Sequence, residues 1–298
     1  MESIVLNEIL NSKILIAGEE VVKMIPISGG CIHNAWRLEL QKGKQLFAKT
    51  CKKNDFAMLE FESSCLTALN KVIDKDLLTV PQPIITQKLV SSAILIIPWL
   101  NLIEGNEKKL GNGLALLHLK TSKGDQGKFG WGKDGFIGYN PQIAGWEKSW
   151  GTCFVKLRLI PQIQMAAKWG LNFPLNEFSS KLIKYLDLHN PKPSLVHGDL
   201  WKGNSAVNEN NGKGVIFDPA SWWADREVDI GMTRLFGGFS KGFYNAYNEI
   251  WPLPDDYENR IDIYNLYHVL NHANLFGGAY KKQSLSLLNQ VNTFLKKY

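Results

Sequence analysis

Apolar and polar residues alternate along residues 34–50 of the sequence. The first alternating apolar positions are Trp36, Leu38 and Leu40. A second run at Leu46–Thr50 follows a polar, glycine-containing segment, Gln41–Lys44. A period of two is typical of strands buried on one face, and the polar segment predicts the turn of a hairpin. Lys49 would then lie inside the second strand.

A pattern with helical spacing follows this hairpin. Leu59, Glu62, Leu66 and Leu69 fall on one face of a predicted helix. Because the Glu62 carboxylate lies among three leucines, it requires either a partner or access to water. In kinases a strand lysine pairs with a glutamate of the following helix, and Lys49 and Glu62 match that order. Both interpretations of Glu62 stay open on the pattern alone.

Two longer apolar segments divide the rest of the chain. Ala93–Ile97 predicts a buried strand that ends at Pro98, a position that suits a hinge. Since Pro98 has no amide hydrogen, an adenine base would have to bind other backbone groups, such as those of Leu100. A helix through three leucines predicts a mostly helical second half, interrupted by the glycine-rich segment 123–145. These leucines are Leu110, Leu114 and Leu117.

Composition limits the class of protein. With 298 residues, of which 45% are hydrophobic, the chain can bury a core in one large domain or two lobes. It contains no long apolar run and no secretory leader, so we expect a soluble, cytoplasmic protein without a membrane partner. The net charge is +6, but lysines and arginines are scattered, which disfavours nucleic acid as a partner.

Cysteine usage excludes two further classes. Cys31, Cys51, Cys65 and Cys153 have no C-x-x-C spacing. Neither a zinc site nor a disulfide framework is therefore expected, and the four residues are predicted to be free thiols.

The octapeptide HGDLWKGN at 197–204 carries the strongest chemical signal. Its H-x-D-x-x-x-x-N spacing is that of the kinase catalytic loop, in which the aspartate accepts the substrate hydroxyl proton and the asparagine binds a metal ion. Ser194–Val196 and Gly214–Phe217 are apolar segments on either side. We expect them to pair as a small hairpin that brings Asp199, Asn204 and Asp218 together. Oxygen ligands of this kind suit Mg²⁺ completed by ATP phosphates, although the spacing alone also arises by chance.

Beyond this spacing, several blocks of sequence resemble the fructosamine (ketosamine) kinases, which are related to aminoglycoside and choline kinases. These blocks are HGDLWKGN, FGWGKDGFIGYNPQIAGW, FDPASWWADREVDIGM, LFGGF and LYHVLNHANLFGGAY. The resemblance implies an α+β, protein-kinase-like fold of two lobes. Residues 1–97 would form a small ATP-binding lobe of antiparallel sheet with one helix, 98–100 the hinge, and 101–298 a larger, mostly helical catalytic and substrate-binding lobe.

The same resemblance implies the chemistry. The protein would use ATP and Mg²⁺ to phosphorylate a sugar hydroxyl of a ketosamine, whose unstable product would release the amine in deglycation. The ketosamine could be a small molecule or a glycated lysine of a protein. A related kinase acting on an aminoglycoside, choline or another sugar is the alternative, which the lack of an acidic excess after residue 224 disfavours. A catalytically dead binding module is disfavoured because all five polar groups expected of the site are present. They are Lys49, Glu62, Asp199, Asn204 and Asp218.

Residue roles follow from the resemblance position by position. Asp199 is implied as the base, with Asn204 and Asp218 as magnesium ligands. The nucleotide would be bound by Gly29, Gly30, Lys49, Glu62, Pro98, Trp99 and Leu100. On the substrate side the resemblance implies Trp201, His272 and Asn274.

Three features of the sequence, covering four positions, raise additional questions. Lys202 replaces a common serine and would either influence substrate choice or point to solvent. Asp134-Gly135 replaces a common Asp-Asn pair. Cys31, in the predicted nucleotide loop, would be either an inert packed residue or a redox-sensitive thiol that converts a monomer into a dimer.

Overall fold

The computed structural model describes residues 8–9, 15–16, 18–28 and 32–298. Its strands are β1 (Leu15–Ile16), β2 (Glu19–Ile27), β3 (Asn34–Leu40), β4 (Gln45–Lys52), β5 (Leu78–Thr79), β6 (Ile85–Lys88), β7 (Ser92–Pro98), β8 (Leu102–Ile103), β9 (Phe129–Trp131), β10 (Gly135–Ile137), β11 (Asn140–Gln142), β12 (Gly145–Glu147), β13 (Ser194–Val196), β14 (Ser205–Asn208), β15 (Gly214–Ile216) and β16 (Trp222–Ala224). Its longer helices are α1 (Phe56–Val72), α2 (Lys108–Ser122), α3 (Trp150–Phe154), α4 (Ile160–Ala166), α5 (Leu175–His189), α6 (Glu227–Thr233), α7 (Lys241–Ile250), α8 (Glu258–Phe276) and α9 (Ala279–Leu295). A π-helical turn, Val155–Leu159, joins α3 to α4.

The N-terminal part is built on a six-stranded sheet in the order β1-β2-β3-β4-β7-β6. The predicted hairpin is confirmed, since β3 and β4 pair antiparallel from Asn34 with Thr50 to Glu39 with Gln45. Leu46 and Ala48 are buried in a cluster with Leu38 on one face of this sheet. Because side chains alternate along a strand, Lys49 points to the opposite face.

Helix α1 covers that opposite face. Leu59, Leu66 and Leu69 are buried against the sheet, and Glu62 is buried on the same side of the helix. The predicted helix is therefore confirmed, including the unusual carboxylate within its apolar stripe. One buried face of α1 thus presents Glu62 to the strand that carries Lys49.

The predicted buried strand and the helix after it are also confirmed. Ala93–Ile97 lies within β7, which extends to Pro98 and pairs with β4. Helix α2 follows, and its three predicted leucines are buried. Residues 123–145 contain β9, the β10–β11 hairpin and the start of β12. The division of the chain at 97 and 100 stays a prediction.

Two four-stranded sheets lie beside the helices of the C-terminal part, in the orders β12-β9-β16-β13 and β5-β15-β14-β8. The predicted pairing of Ser194–Val196 with Gly214–Phe217 is wrong, because β13 pairs with β16, whereas β15 pairs with β14. Strands of three residues carry too little pattern to select a partner, so tertiary packing decides it. Among the described helices, none has both the length and the apolar character needed to cross a membrane.

Candidate active site

The catalytic-loop sequence connects β13 to β14. Val196 ends β13, Lys202–Asn204 form a 3₁₀ turn, and β14 begins at Ser205. Gly198 has φ 84°, and a Cβ atom there would lie 2.1 Å from the carbonyl oxygen of Ala220. Only glycine fits both the left-handed backbone and this close approach.

Asp199 is half-buried in this loop and is oriented by Asn204. The Asn204 amide Nδ2 donates to the Asp199 carbonyl oxygen at 2.9 Å and to Asp199 Oδ2 at 3.1 Å. Asp199 Oδ1 is shielded from solvent and has no hydrogen-bond partner among the described residues. Burial raises the pKa of Asp199 to about 7, against the opposing effect of the Asn204 hydrogen bond, and the charge of Asp229 raises it further. One oxygen of this carboxylate thus accepts no hydrogen bond from the described residues.

Asp229 in α6 holds the backbone of the loop. Its carboxylate accepts the amide N–H of His197 at 2.7 Å and that of Gly198 at 2.8 Å. His118 of α2 adds a third bond, from Nε2 at 3.1 Å. Burial alone would raise the pKa of Asp229, but the hydrogen bond from His118, the nearby histidines and the loop amides outweigh it and lower this pKa. Asp229 is therefore an ionised acceptor that fixes the start of the loop.

His197 connects the loop to the strand that precedes Asp218. His197 Nε2 lies 2.9 Å from the carbonyl oxygen of Phe217, and its Nδ1 lies 3.3 Å from the amide nitrogen of Asp199. These partners require a neutral ring with its proton on Nε2, and burial lowers the pKa of His197 accordingly. The amide of Phe217 also donates to the Asn204 carbonyl oxygen at 3.1 Å. Although the predicted hairpin is absent, these bonds hold Asp218 beside the catalytic loop.

Lys49 lies between two carboxylates. Its Nζ is 2.9 Å and 3.0 Å from the two oxygens of Glu62, and it also forms an ion pair with Asp218. Asp218 has φ 59°, and 41% of its side chain is exposed. The structure therefore brings Lys49 and Glu62 from the N-terminal part to Asp218, which neighbours the loop of Asp199 and Asn204.

Of the residues predicted on the substrate side, two belong to one aromatic cluster. The ring of Trp201 meets Phe236 edge-on, with centroids 5.9 Å apart, and Phe236 lies 4.7 Å from the ring of His272. Asn274 is not part of this cluster, because its side chain bonds Trp169 and Gln162. Two positions apart on a helix, His272 and Asn274 point in different directions.

Lys202 does not simply point to solvent. Its Nζ lies 3.0 Å from Glu107 Oε1, while Glu107 Oε2 accepts the amide N–H of Ser240 at 2.7 Å. Burial raises the pKa of Glu107, but the bonds from Ser240 and Lys202 outweigh that effect and lower it. The ion pair fastens the 3₁₀ turn of the loop to the start of α2.

The predicted nucleotide-binding residues are only partly described. Gly29, Gly30 and Cys31 lie outside the described residues, so the loop and the redox hypothesis stay predictions. In the predicted hinge, Trp99 Nε1 donates to Asn101 Oδ1 at 3.1 Å, and Pro98 ends β7. The other three cysteines are free thiols, of which Cys65 and Cys153 are buried. Burial raises the pKa of both to about 12, so neither is a reactive thiolate.

Asp229, His118 and Glu107 are structural parts of the site that the sequence analysis missed. Asp229 lies within the block FDPASWWADREVDIGM, which supported the resemblance but assigned no role to it. Its partners are distant in the chain: Gly198 is 31 residues away, His197 is 32 and His118 is 111. No local spacing signals contacts of that range.

Comparison with known proteins decides the family. A profile of the fructosamine kinase family matches residues 7–294. The chain belongs to the fructosamine kinase family. A chloroplastic protein-ribulosamine 3-kinase from Arabidopsis thaliana is 35% identical over 288 residues, covering 93% of this chain and 85% of the relative. Membership confirms the predicted class of enzyme, an ATP-dependent phosphotransferase that acts on an alcohol group.

Structural neighbours confirm the predicted fold. The crystal structure of a candidate fructosamine-3-kinase from Haemophilus somnus 129PT has a TM-score of 0.83 at 28% identity and covers 97% of this chain and 96% of its own. An amicoumacin kinase in complex with AMP-PNP, Ca²⁺ and Ami has a TM-score of 0.55 at 11% identity, covering 91% and 88% of the two chains. This fructosamine kinase family member thus has the two-lobed, α+β protein-kinase-like fold.

Proposed function

We propose that this fructosamine kinase family member transfers the γ-phosphoryl group of ATP to a sugar hydroxyl of a ketosamine, with Asp199 as the base. The observation that carries the proposal is the geometry of Asp199. Asn204 orients one carboxylate oxygen, whereas Oδ1 keeps its lone pairs free, and the pKa is raised to about 7. A base with a pKa near neutrality suits proton transfer from a hydroxyl at physiological pH.

The oxygen donors beside Asp199 fit Mg²⁺. Because Asn204 directs its amide Nδ2 to Asp199, its Oδ1 is left for another partner. Asp218 adds a carboxylate that is partly exposed. One amide and one carboxylate oxygen match the hard, oxygen-only coordination of Mg²⁺, which takes further ligands from phosphates and water. When bound, Mg²⁺ would neutralise negative charge on the ATP phosphates.

Lys49 is the cation that we assign to the ATP phosphates. Glu62 fixes its ammonium with two short bonds, so the charge is positioned before the nucleotide arrives. A loose phosphoryl-transfer transition state requires little base strength, so positioning and charge neutralisation contribute most of the rate. We assign the adenine to the backbone at Pro98–Leu100 and the phosphates also to Gly29 and Gly30.

The aromatic cluster supports the assignment of the acceptor side. Trp201 follows Asp199 by two residues, and Phe236 links its ring to His272. Flat apolar rings suit the face of a sugar, while the polar edge of His272 can bond a hydroxyl. We therefore assign Trp201 and His272 to the ketosamine. Asn274 bonds Trp169 and Gln162, and its role in substrate binding stays a prediction.

The direct test is Asp199→Asn. Turnover of ATP with a ketosamine should fall by about 10²- to 10⁴-fold, because the amide cannot accept the proton. Binding of AMP-PNP with Mg²⁺ should stay close to that of the wild type, measured by calorimetry. Asp262→Asn, at an exposed position of α8, is the matched control and should leave turnover unchanged. Near-normal turnover of Asp199→Asn would refute the assignment of the base.

A panel of acceptors tests the substrate class. ATP consumption should appear with fructosamines, ribulosamines or erythrulosamines and not with choline or aminoglycosides. A free ketosamine of lysine and a glycated protein, compared at equal sugar concentration, separate a small-molecule substrate from a protein-bound one. Release of the amine after phosphorylation would support deglycation. Activity confined to choline or aminoglycosides would sink the ketosamine proposal.

A further inference from the structure

The β10–β11 hairpin, Gly135–Gln142, stands apart from the larger sheets. Its two strands pair only with each other among the described strands, with Ile137 opposite Asn140. The turn residues are Gly138, with φ 61°, and Tyr139. Because an isolated two-stranded hairpin is marginally stable in water, its conformation depends on the elements that it contacts. We call it the bridging hairpin.

One set of contacts leads to the nucleotide side. The ring of Phe136 meets that of Phe61 in α1 edge-on, with centroids 6.4 Å apart. A Cβ atom at Gly135 would lie 2.2 Å from the Phe61 ring, so glycine at this position permits the approach. The hydroxyl of Tyr139 donates to the carbonyl oxygen of Ile32 at 2.7 Å. Phe61 precedes Glu62, and Ile32 follows the predicted nucleotide loop in sequence.

A second set of contacts leads to α8. Asn140 Nδ2 donates to Asn271 Oδ1 at 2.8 Å, and Gln142 Nε2 donates to the hydroxyl of buried Tyr267 at 3.1 Å. Asn271 is itself buried. Helix α8 also carries His272 of the aromatic cluster, so this end of the hairpin is attached to the acceptor side of the site.

We propose that the bridging hairpin positions α1 and the segment before β3 against α8, and that Tyr139 is a positioning residue for nucleotide binding. The inference rests on the proposed kinase function. Movement of α1 away from α8 would separate Phe61 from Phe136, and with it Glu62 from the catalytic loop. The hairpin therefore holds the Lys49–Glu62 pair at its distance from Asp199. Tyr139 is 54% exposed as a residue, so its hydroxyl anchors the hairpin without contributing to the core.

The first test is Tyr139→Phe, measured by calorimetric binding of AMP-PNP with Mg²⁺. Loss of one hydrogen bond that fixes the binding-competent arrangement should weaken affinity by about three- to tenfold. The thermal midpoint should stay that of the wild type, which separates positioning from a loss of folding. Tyr298→Phe is the matched control, since Tyr298 packs against Tyr185 and Phe294 at the far end of the chain. Wild-type affinity in Tyr139→Phe would overturn the proposal.

A second variant releases the other end of the hairpin. Asn140→Ala removes the bond to Asn271 and should increase amide hydrogen exchange in α1 and in residues 32–40, while α9 keeps its protection. Combining Tyr139→Phe with Glu62→Gln should weaken binding by less than the product of the two separate fold-changes, because both variants disturb the same proposed arrangement of α1 and the segment before β3. Unchanged exchange in α1 together with a fully multiplicative double variant would contradict the proposed coupling.

Nucleotide binding also separates this inference from the proposed function. AMP-PNP binding requires no acceptor, so a failure to phosphorylate ketosamines would leave the effect of Tyr139→Phe intact. Conversely, wild-type turnover of a ketosamine combined with unchanged binding in Tyr139→Phe and Asn140→Ala would refute the hairpin's role alone.

Discussion

Asp199 lies within the loop 197–204, Asp229 of α6 binds the backbone of that loop, and the two carboxylates differ in how many hydrogen bonds they accept. Asp229 accepts three N–H groups with its two oxygens, whereas Asp199 Oδ1 accepts none from the described residues. Burial raises the pKa of each carboxyl, but only Asp229 has enough donors to reverse the effect. The comparison shows that the hydrogen bonds of this fold hold the loop through Asp229, while the pKa of Asp199, the base that we propose, stays raised.

The largest effect is expected from Asp229→Asn. The amide leaves at least one buried N–H donor without an acceptor and removes the charge that His118 and the loop amides surround. The free energy of unfolding should fall by about 3–5 kcal/mol, measured by urea denaturation. Asp262→Asn on the exposed side of α8 should change it by less than about 0.5 kcal/mol. A loss below about 1 kcal/mol in Asp229→Asn would contradict the role given to Asp229.

Asp199→Asn should raise the free energy of unfolding at high pH, whereas Asp229→Asn lowers it. The folded-state pKa of Asp199, about 7, lies above its unfolded value. Its contribution to stability is therefore fully present below the unfolded pKa and is lost as pH rises through about 7. Asp199→Asn avoids that loss, so between pH 4 and pH 8 it should gain about 1–3 kcal/mol over the wild type. Thermal unfolding of both proteins across this pH range, without metal or nucleotide, measures the difference. If the stabilities of the wild type and of Asp199→Asn changed in parallel with pH, burial would not raise the pKa of Asp199.

Glu107 accepts fewer hydrogen bonds than Asp229 but more than Asp199, and variants at its ion pair should have the smallest effect on the free energy of unfolding. It is buried but has two partners, the Ser240 amide and the partly exposed Lys202. Lys202→Met should lower the free energy of unfolding by less than about 1 kcal/mol, with the difference shrinking in high salt. Glu107→Gln should cost more, because it weakens the bond to Ser240 as well. If both variants lowered the free energy of unfolding equally, the bond from Ser240 to Glu107 would contribute nothing and the prediction would be wrong.

Sequence patterns predicted the parts of the site that depend on local order. The alternation around Lys49 predicts a strand, and the helical spacing around Glu62 predicts a helix that packs on it. The ion pair between the two residues follows from the packing of these two elements. Pairing of the short strands β13 and β15 was predicted wrongly, because three apolar residues match several partners equally well. Asp229 and Glu107 were missed because their partners come from distant parts of the chain, and only the tertiary structure brings them together.

The aromatic residues near the C-terminus show the same division. Phe239, Phe243 and Tyr247 recur at a spacing of four residues, which is typical of one helix face, and all three are buried. Phe236 lies only three residues before Phe239, yet its ring packs against Trp201 and His272. Its backbone is left-handed, with φ 55°, so it leaves the helical pattern and its ring follows a different direction.

The left-handed backbone of Asp218 limits which amino acids can occupy that position. At φ 59°, glycine, asparagine and aspartate are tolerated, whereas β-branched and bulky residues are strained. Of the three tolerated residues, only aspartate supplies the charge that pairs with Lys49. Backbone conformation and electrostatics therefore select the same residue independently, so a substitution here has almost no neutral alternatives. The turn after β15 therefore restricts the substitutions that position 218 can accept.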